Sequence, residues 1–445
     1  MTGPLDVAVV GAGPAGLATA HALHRAGCAV RVLEAADAVG GRTRTLRADG
    51  CLIDTGAEMI ASPAGYPATW RLIAALGLDA DPGAVPRVRS ALAVWRGGRC
   101  RPHLGSPLGL LTGAGLPVRA RLDLVRLRRR LARRTDLDPD RPERCEGLGT
   151  ATVADLVRDS HPALRGYFID PLVTGFFGWD PEQAAAAPFA AHLKATGGPR
   201  TWHTYRDGMD ALTRALAAGL DVVTGHPVTR VRATGGGVLL ESANGDVTAR
   251  AAVLAVPAPI AARLHPGATG VERAYLEACR FTPMLRLTLV LDRPMAPRGL
   301  GHGFATLVPR DADGLINVIT VDHHKHPGRA PAGRGLVSLV TSPRGTAELI
   351  DAPDAEVIDR LVARAEPFLP GLSARVTAAH PHRFRYGLPL PTPHALGLRP
   401  AFDRRPVGAI DYAGDWTALR PCSEGAIASA SQAAARILAY LTSTR

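Results

Sequence analysis

A glycine-rich turn near the start of the chain constrains the fold more than any other feature. An apolar run at 6–10 leads directly into Gly11-Ala12-Gly13-Pro14-Ala15-Gly16, and residues 17–26 have the alanine-rich composition of a helix. In such a strand–turn–helix unit the first glycine permits a tight turn, the second lets a pyrophosphate approach the backbone, and the third lets the helix pack on the sheet. The pattern predicts a doubly wound α/β sheet with a dinucleotide at a helix N-terminus.

An acidic residue at the expected distance supports this interpretation. A second apolar run at 29–33 ends in Glu34, 23 residues after Gly11. A carboxylate about 20 residues beyond the first glycine accepts hydrogen bonds from ribose hydroxyls, and it would repel a 2′-phosphate. The alternative is a glycine-rich turn in some other parallel sheet, which would not need the acid.

Further motifs indicate which dinucleotide binds. Gly40-Gly41-Arg42-Thr43 and Ile53-Asp54-Thr55-Gly56 follow Glu34, and Gly414-Asp415-Trp416 and Glu424-Gly425-Ala426-Ile427 lie near the end. Together these motifs resemble the flavin amine oxidase superfamily, which includes amine oxidases, protoporphyrinogen oxidases and phytoene-type desaturases. The chain looks closest to the protoporphyrinogen oxidase and desaturase branch. The resemblance implies an FAD-dependent oxidoreductase, and no local signature indicates a covalent flavin link.

The resemblance also implies which residues hold FAD. Arg42 would neutralise phosphate charge, Asp415 would contact the ribityl or phosphate end, and the amides of Ala426 and Ile427 would face the flavin pyrimidine edge. Glu424 is equally well explained as a helix-capping acid. The full predicted set is Gly11, Gly13, Ala15, Gly16, Glu34, Gly40, Gly41, Arg42, Thr43, Gly56, Ala57, Glu58, Val228, Pro257, Gly414, Asp415, Glu424, Gly425, Ala426 and Ile427.

Because these segments are far apart, the predicted FAD-binding domain is discontinuous. We expect it to comprise 1–75, 205–265 and 395–445. Residues 76–204 and 266–394 would form a substrate-binding domain with a mixed β-sheet and a helical insert at about 106–200. This organisation follows from helical spacing in the first insert and from strand-like alternation in the second.

The substrate is expected to be fairly apolar. Phe176, Phe177 and Trp179 surround two glycines and predict a wall that approaches a ligand closely, although a core-forming turn would have the same composition. By resemblance, Arg286 stands where amine oxidases carry a lysine near the flavin, and Cys422 stands where they carry an aromatic residue.

These two departures favour desaturation of C–C or C–N bonds in a cyclic or polyene-like substrate, with oxygen or another group as electron acceptor. Arg286, Trp416 and Tyr386 are the candidate catalytic residues, and Arg286 is also a candidate for anchoring a carboxylate. An amine or amino-acid oxidase producing peroxide is the first alternative, and a flavin-bound isomerase or non-redox protein is the second.

Composition limits the remaining function classes. The chain has 445 residues and a net charge of +12, but all its basic residues except Lys194 and Lys325 are arginines, which is typical of genome composition and does not favour nucleic-acid binding. Scattered cysteines and the isolated His323-His324-Lys325-His326 run predict no metal. No secretory signal or membrane-spanning run is recognisable, so a cytoplasmic protein is expected.

One stretch leaves the question of membrane contact open. Eight arginines between Arg119 and Arg134 accompany Leu124, Leu127 and Leu131 at helical spacing. This helix could lie on an anionic bilayer as a peripheral contact, or its leucines could pack on their own domain while its arginines face water.

Overall fold

Two seven-stranded sheets and the helices packed on them organise the protein. The computed structural model describes residues 5–88, 92–148, 150–197 and 201–444. Small parts of the predicted domains, at 1–4, 89–91, 149, 198–200 and 445, lie outside the described residues.

The strands are β1 Leu5–Val10, β2 Val30–Leu33, β3 Thr45–Ala48, β4 Cys51–Asp54, β5 Leu92–Trp95, β6 Cys100–Arg101, β7 Asp221–Val223, β8 Val228–Thr234, β9 Gly237–Ser242, β10 Val247–Leu254, β11 Arg280–Leu291, β12 Ala305–Leu307, β13 Ile316–Val321, β14 Gly335–Thr341, β15 Val376–Leu390 and β16 Ile410–Tyr412. The helices are α1 Pro14–Arg25, α2 Pro67–Ala75, α3 Pro107–Thr112, α4 Val118–Ala132, α5 Val153–Leu156, α6 Pro162–Leu164, α7 Asp170–Phe177, α8 Ala186–Thr196, α9 Ala211–Ala217, α10 Ala258–Leu264, α11 Gly270–Ala278, α12 Asp322–Lys325, α13 Pro343–Leu349, α14 Asp354–Ala365, α15 Pro393–Asp403 and α16 Ser423–Ser443.

The first sheet has the order β7-β2-β1-β10-β9-β8, with β16 also paired to β10. Strands β7, β2, β1, β10 and β16 run parallel, whereas β8 and β9 are antiparallel additions. Alternate residues of β1 enter different cores: Val7 and Val9 pack with α1 and α16, and Ala8 and Val10 pack on the opposite face. Burial on both faces explains why this strand reads as a continuous apolar run.

The second sheet has the order β15-β11-β14-β13-β12-β5-β6 and is antiparallel except for the β12–β5 pair. On β11, Leu285, Leu287 and Leu289 pack in the core that includes α14. Because successive strand residues point to opposite faces, Arg286 and Thr288 are directed to the other side of this sheet.

The predicted fold class is therefore confirmed: a Rossmann-type α/β sheet accompanies a mixed second sheet and a helical insert. All strands of the first sheet come from the ranges predicted for FAD binding, and all strands of the second come from the other two ranges. The domain boundaries themselves stay a prediction. In the described part of the chain, none of the helices has the length and hydropathy needed to cross a membrane.

The sequence over 222–231 has the composition of one strand, a prediction that is wrong in detail. The strand pattern over 222–231 corresponds to two strands, β7 parallel to β2 and β8 antiparallel to β9. Gly225 lies between them with φ of +64°, a left-handed conformation that glycine adopts without strain. The chain turns there, so a single strand cannot continue.

Candidate active site

A cavity of about 810 Å³ is lined by residues of both sheets and of the helical insert. The motifs from the start, middle and end of the chain meet along one side of it. The predicted cofactor residues in its lining are Gly11, Gly13, Ala15, Glu34, Gly41, Arg42, Thr43, Gly56, Ala57, Glu58, Val228, Pro257, Gly414, Asp415 and Ala426.

The N-terminus of α1 opens onto this cavity. Gly13 is the N-cap residue and has no side chain to cap the first turn, and in the described ranges no other side chain accepts a hydrogen bond from that turn. A Cβ placed on Gly13 would meet nothing within 4 Å, whereas one on Gly16 would overlap the carbonyl oxygen of Gly11. Gly13 therefore leaves free space beside unpaired amides, and Gly16 allows close packing of helix on turn.

Glu34 is held rigidly at the edge of this helix end. Its Oε2 accepts a hydrogen bond of 2.6 Å from the amide of Ala12, and its Oε1 accepts one of 2.9 Å from the amide of Ala36. The carboxylate lines the cavity. Its fixed position suits recognition of ribose hydroxyls.

Arg42 and Asp415 contact each other. The Arg42 guanidinium donates two hydrogen bonds, of 2.9 and 2.8 Å, to the Asp415 carboxylate, and a third of 2.8 Å to the carbonyl of Gly387. This bidentate pair joins the first and last motifs of the chain. The two residues therefore line the cavity as one ion pair, in which each side chain neutralises the charge of the other.

The second glycine motif forms a tight turn before the β3–β4 hairpin. Gly40 has φ of +116° and lies outside the cavity lining, and its carbonyl accepts a 2.8 Å hydrogen bond from Thr43 Oγ1. Gly41, Thr43 and the Gly56–Ala57 step line the cavity. Gly41 and Gly56 thus bring backbone close to the cavity.

The N-terminus of the long helix α16 opens onto the same cavity. Cys422 is its N-cap and provides no side-chain cap, and the buried Ser423 Oγ has no hydrogen-bond partner among the described residues. Cys422, Ser423 and Ala426 line the cavity. Burial raises the pKa of the Cys422 thiol, which keeps it protonated.

Glu424 is predicted either as a cofactor contact or as the acid that caps its own helix, and the structure shows it in neither position. Its Oε1 accepts a 2.8 Å hydrogen bond from the amide of Ala68, and its Oε2 accepts 2.8 Å bonds from the amide and hydroxyl of Thr69. It therefore caps the neighbouring helix α2 and lies outside the cavity lining. Gly425 and Ile427 also lie outside the lining.

These observations fit FAD. Two uncapped helix ends, a glycine with free space beside it and a fixed carboxylate meet in one cavity. They are the groups that a dinucleotide needs at its pyrophosphate and ribose. Glu34, Gly13 and the first turn of α1 would hold the nucleotide half, and the first turn of α16 would hold the flavin half.

Aromatic side chains form the other side of the cavity. Phe176 lines it with its ring centroid 5.6 Å from that of Trp202, and Phe177 lines it while stacked at 4.5 Å on Trp179. Trp179 does not face the cavity: it is fully buried, and its Nε1 donates a 2.9 Å hydrogen bond to the carbonyl of Pro389. Its predicted substrate contact is corrected to support of Phe177, because Trp179 lies outside the cavity lining and stacks on Phe177 from behind it.

Tyr386 and Trp416 both line the cavity. Tyr386 lies on β15, with its ring at right angles to that of Phe281. Trp416 is buried, and its Nε1 donates a 3.0 Å hydrogen bond to the carbonyl of Val256. Both rings are therefore positioned as walls, and their catalytic roles stay predictions.

Arg286 is not free to anchor a substrate carboxylate. Its guanidinium forms an ion pair with Glu58 and another, at 3.1 Å, with Asp322, and it donates a 2.8 Å hydrogen bond to Ser338 Oγ. Two protein carboxylates already neutralise this cation, so the expectation of a carboxylate anchor is corrected. Glu58, predicted as a cofactor contact, is engaged in the same pair.

The pair belongs to a larger group of buried charges. Lys325 Nζ lies 2.7 Å from Asp54 Oδ2 and also contacts Glu58, and Arg329 Nη2 lies 3.0 Å from Asp54 Oδ2. We call the following six residues the buried charge cluster: Asp54, Glu58, Arg286, Asp322, Lys325 and Arg329. Three acids face three bases, so the cluster has no formal net charge. Only Glu58 and Arg286 reach the cavity lining.

Opposing effects act on the titration of this cluster. Burial would raise the pKa of Asp54, but Lys325 and Arg329 bring that pKa below its usual value. Burial lowers the pKa of Lys325 to about 8, and Asp54 limits this fall. The sequence gives no signal for this cluster, because Lys325 ends the short helix α12, is buried, and meets its acidic partners only through the fold.

Two further polar groups of the lining were not predicted. His192 Nδ1 and the Tyr205 hydroxyl are buried and have no hydrogen-bond partner among the described residues. Burial lowers the pKa of His192 to about 3, so its imidazole is neutral and offers one donor and one acceptor. No local motif marks these residues, because only the fold brings them to the cavity.

The histidine run on α12 makes protein contacts. His323 Nδ1 lies 3.0 Å from the carbonyl oxygen of Leu336, and His324 Nδ1 lies 2.9 Å from that of Gly303. Within the ranges that the structure describes, no group of three or more His, Cys, Asp and Glu side chains could hold a metal ion.

Comparison with known proteins identifies the family. The sequence profile of the flavin containing amine oxidoreductases matches residues 14–438. The chain belongs to this family. Its cofactor is accordingly FAD, and it is an FAD-dependent oxidoreductase of the amine oxidase superfamily.

Individual relatives come from several branches of this superfamily. AofH of Mycobacterium tuberculosis, provisionally named a flavin-containing monoamine oxidase, is 27% identical over 98% of this chain and 97% of its own. The mitochondrial protoporphyrinogen oxidase of Nicotiana tabacum is 29% identical over 40% of this chain and 33% of its own. Cyclohexylamine oxidase from Brevibacterium oxydans has the same fold, with a TM-score of 0.76 at 19% identity over 99% of this chain and 100% of its own.

Proposed function

We propose that this flavin-containing amine oxidoreductase dehydrogenates a C–C or C–N bond of a fairly apolar, cyclic or polyene-like substrate. The observation that carries the proposal is the chemistry of the cavity wall outside the dinucleotide motifs. Its rings and aliphatic groups come from the segment at 165–169, α7, α8, the segment at 202–205, Phe304 and the second sheet. The aromatic members are Phe168, Phe176, Phe177, Trp202, Phe304, Phe384 and Tyr386.

The charges that reach this wall favour an uncharged ligand. Glu58 and Arg286 neutralise each other, and Arg383 and Arg385 pair with Asp354 and Asp351. Arg128, at the edge of the cavity, has no carboxylate partner among the described residues and donates a hydrogen bond to the carbonyl oxygen of Gly105. Because burying an ionic group without a partner is costly, a cavity whose charges are mostly paired favours ligands that are recognised by shape and apolar contact.

The remaining polar groups would orient the ligand. FAD, when bound, supplies the redox chemistry by accepting two electrons from the substrate, normally as hydride from a C–H bond. The neutral imidazole of His192 and the hydroxyl of Tyr205 can each give or accept one hydrogen bond. The aromatic wall would exclude water and hold the reacting bond in a fixed orientation.

Anaerobic flavin bleaching against a panel of substrates tests this proposal. The panel contains porphyrinogens, polyenes, cyclic amines and amino acids, and loss of the flavin absorbance near its visible maximum is the readout. We expect bleaching by an apolar compound, with a product that has one more double bond by mass spectrometry. Bleaching by small charged amines alone would contradict the proposal, and a rearranged product without bleaching would indicate an isomerase.

Oxidation of an amine is the second candidate. Similarity to AofH extends along nearly the whole of both chains and favours this activity. Here the amine would lose two electrons and two protons to give an imine, and O₂ would be reduced to H₂O₂. A coupled peroxide assay in air distinguishes the candidates, because a dehydrogenase with another electron acceptor would bleach under anaerobic conditions but release little peroxide.

A further inference from the structure

Among the described residues, six large apolar side chains are exposed, and four of them occur in one short segment. Leu108 and Leu111 on α3 are 42% and 80% exposed, and Val118 and Leu122 on α4 are 61% and 50% exposed. Arg121 Nη1 donates hydrogen bonds of 2.6 and 3.1 Å to the carbonyls of Leu110 and Leu111, which joins the end of α3 to the start of α4. The exposed apolar groups therefore lie on two adjoining helices.

The same surface continues along α4 as a stripe of positive charge. Five residues recur at intervals of four or three positions and therefore lie on one face of the helix and its C-terminal extension. They are Val118, Leu122, Arg126, Arg129 and Arg133. Leu124, Leu127 and Leu131 occupy the opposite face and pack in the protein core. Of the two alternatives for these leucines, the structure shows the one in which they pack on their own domain, and a different apolar set is exposed.

The arginines of this segment are largely unpaired. Residues 107–134 contain eight arginines and a single acid, Asp123, which gives a formal charge of +7. Only Arg126 and Arg134 have a carboxylate within 4.0 Å among the described residues. A surface that combines exposed apolar groups with unpaired cations is complementary to the headgroup region of an anionic bilayer.

The segment also borders the cavity. Leu104, Gly105 and Arg128 line it, and Arg128 donates a hydrogen bond to the carbonyl oxygen of Gly105. Gly105 in turn packs beside Phe168 of the aromatic wall. A membrane bound at this surface would therefore lie next to the cavity edge.

We propose that α3 and the exposed stripe of α4 form a docking surface for an anionic lipid bilayer. We call this surface, made of Leu108, Leu111, Val118, Leu122, Arg119, Arg126, Arg129 and Arg133, the leucine–arginine surface. Docking rests on the surface alone. Delivery of an apolar substrate from the bilayer to the cavity rests in addition on the proposed function.

Vesicle flotation of the FAD-loaded protein tests docking without any catalytic readout. Two vesicle types are used, phosphatidylcholine alone and equal parts of phosphatidylcholine and phosphatidylglycerol. We expect the protein to float with the anionic vesicles and to remain in solution with the neutral ones. Absence from the anionic vesicles, or equal binding to both, would overturn the proposal.

Matched variants separate the apolar and charged contributions. The first test variant carries both Leu111→Ser and Leu122→Ser. Its control carries both Val271→Ser and Val407→Ser, at positions that are 41% and 46% exposed on other parts of the surface. Arg126→Gln, Arg129→Gln and Arg133→Gln are compared with Arg232→Gln, Arg344→Gln and Arg360→Gln, which remove the same charge from other exposed ion pairs. We expect each test variant to lose at least about tenfold in vesicle partitioning, since each basic residue contributes appreciably near an anionic surface, and each control to bind like the natural chain.

Other outcomes identify other partners and contradict the bilayer. Loss of binding with the arginine variant but not with the serine variant would indicate attraction to polyanions such as nucleic acid. A change from dimer to monomer by sedimentation in the serine variant would indicate that a second copy covers this surface. Flavin content checks that each variant is folded. Should the double serine variant not fold, Leu111→Ser alone repeats the test at the most exposed position.

Discussion

On one side of the cavity the polar groups are backbone amides at the first turns of α1 and α16, whereas on the other side they are side chains. The amide side is completed by glycines and by Glu34, which are close in sequence to the helices they serve. The side-chain side contains the buried charge cluster, in which Lys325 meets Glu58 over a separation of 267 residues. Groups fixed by local backbone geometry can be recognised in a sequence, but which charges pair with one another across the fold cannot.

The two sides also differ in what holds them together. An uncapped helix end exposes amides to a ligand and needs no protein partner. A buried charge needs several partners at once, because removing one leaves the others uncompensated. Substitutions on the two sides should therefore affect different quantities, ligand affinity on the first and protein stability on the second.

The largest effect is expected from the buried charge cluster. Lys325→Met would leave Asp54 and Glu58 buried with less compensation, and loss of one member of a buried pair costs about 3–5 kcal/mol. We expect the free energy of unfolding, measured by urea denaturation of the FAD-loaded protein, to fall by this amount. Lys194→Met, the same change at the other lysine of the chain, lies on the surface and should alter it by less than about 0.5 kcal/mol. Equal stability of the two variants would contradict the cluster.

A smaller effect on a different quantity is expected at the helix end. A methyl group at Gly13 would meet no protein atom but would occupy the free space beside the amides of α1. Loss of one hydrogen bond to a charged phosphate costs about 1.5–3 kcal/mol, so Gly13→Ala should weaken FAD binding roughly ten- to a hundredfold. Titration of the apoprotein with FAD measures this, and the melting temperature of the apoprotein should be unchanged. Gly219→Ala, also free of contacts, is the control that should retain natural affinity.

Particular residues show how far the sequence alone reaches. The spacing from Gly11 to Glu34 and the motifs at Gly414 and Glu424 predicted the α/β fold and the cofactor, because each motif is a local solution to binding a phosphate or a flavin. Residue type predicts Trp179 as a substrate contact, and the resemblance predicts Arg286 near the flavin, free to anchor a carboxylate. Whether a tryptophan faces a cavity or the core, and whether an arginine is already paired, depends on residues far away in the chain, here Pro389 and Glu58.

The aromatic wall should determine affinity for the substrate and leave stability almost unchanged. Phe176→Ala removes a ring that lines the cavity, whereas Phe281→Ala removes a partly buried ring outside its lining. Loss of an apolar contact of this size costs about 1–2 kcal/mol, so we expect KM for whichever panel compound bleaches the flavin to rise roughly five- to thirtyfold in the first variant. The second variant should lower the melting temperature without changing KM. An unchanged KM in Phe176→Ala would remove this residue from the substrate site.

The smallest expected effect is on the pH dependence of the free energy of unfolding, which reports the ionisation of Asp54 in the buried charge cluster. Because the pKa of Asp54 in the folded protein is below its usual value, the unfolded chain binds more protons near about pH 4, and stability must fall as the pH is lowered through that region. Lys325→Met removes one of the two cations that lower the pKa of Asp54. The effect of burial then raises this pKa, and Asp54 in the folded protein takes up a proton more readily. We therefore expect the free energy of unfolding to decline less steeply with acid in Lys325→Met than in the natural chain, as measured by urea denaturation between about pH 6 and pH 3. Lys194→Met should parallel the natural chain. Parallel curves for both variants would show that Lys325 does not set the ionisation of Asp54, and that the cluster is held together by packing instead of charge.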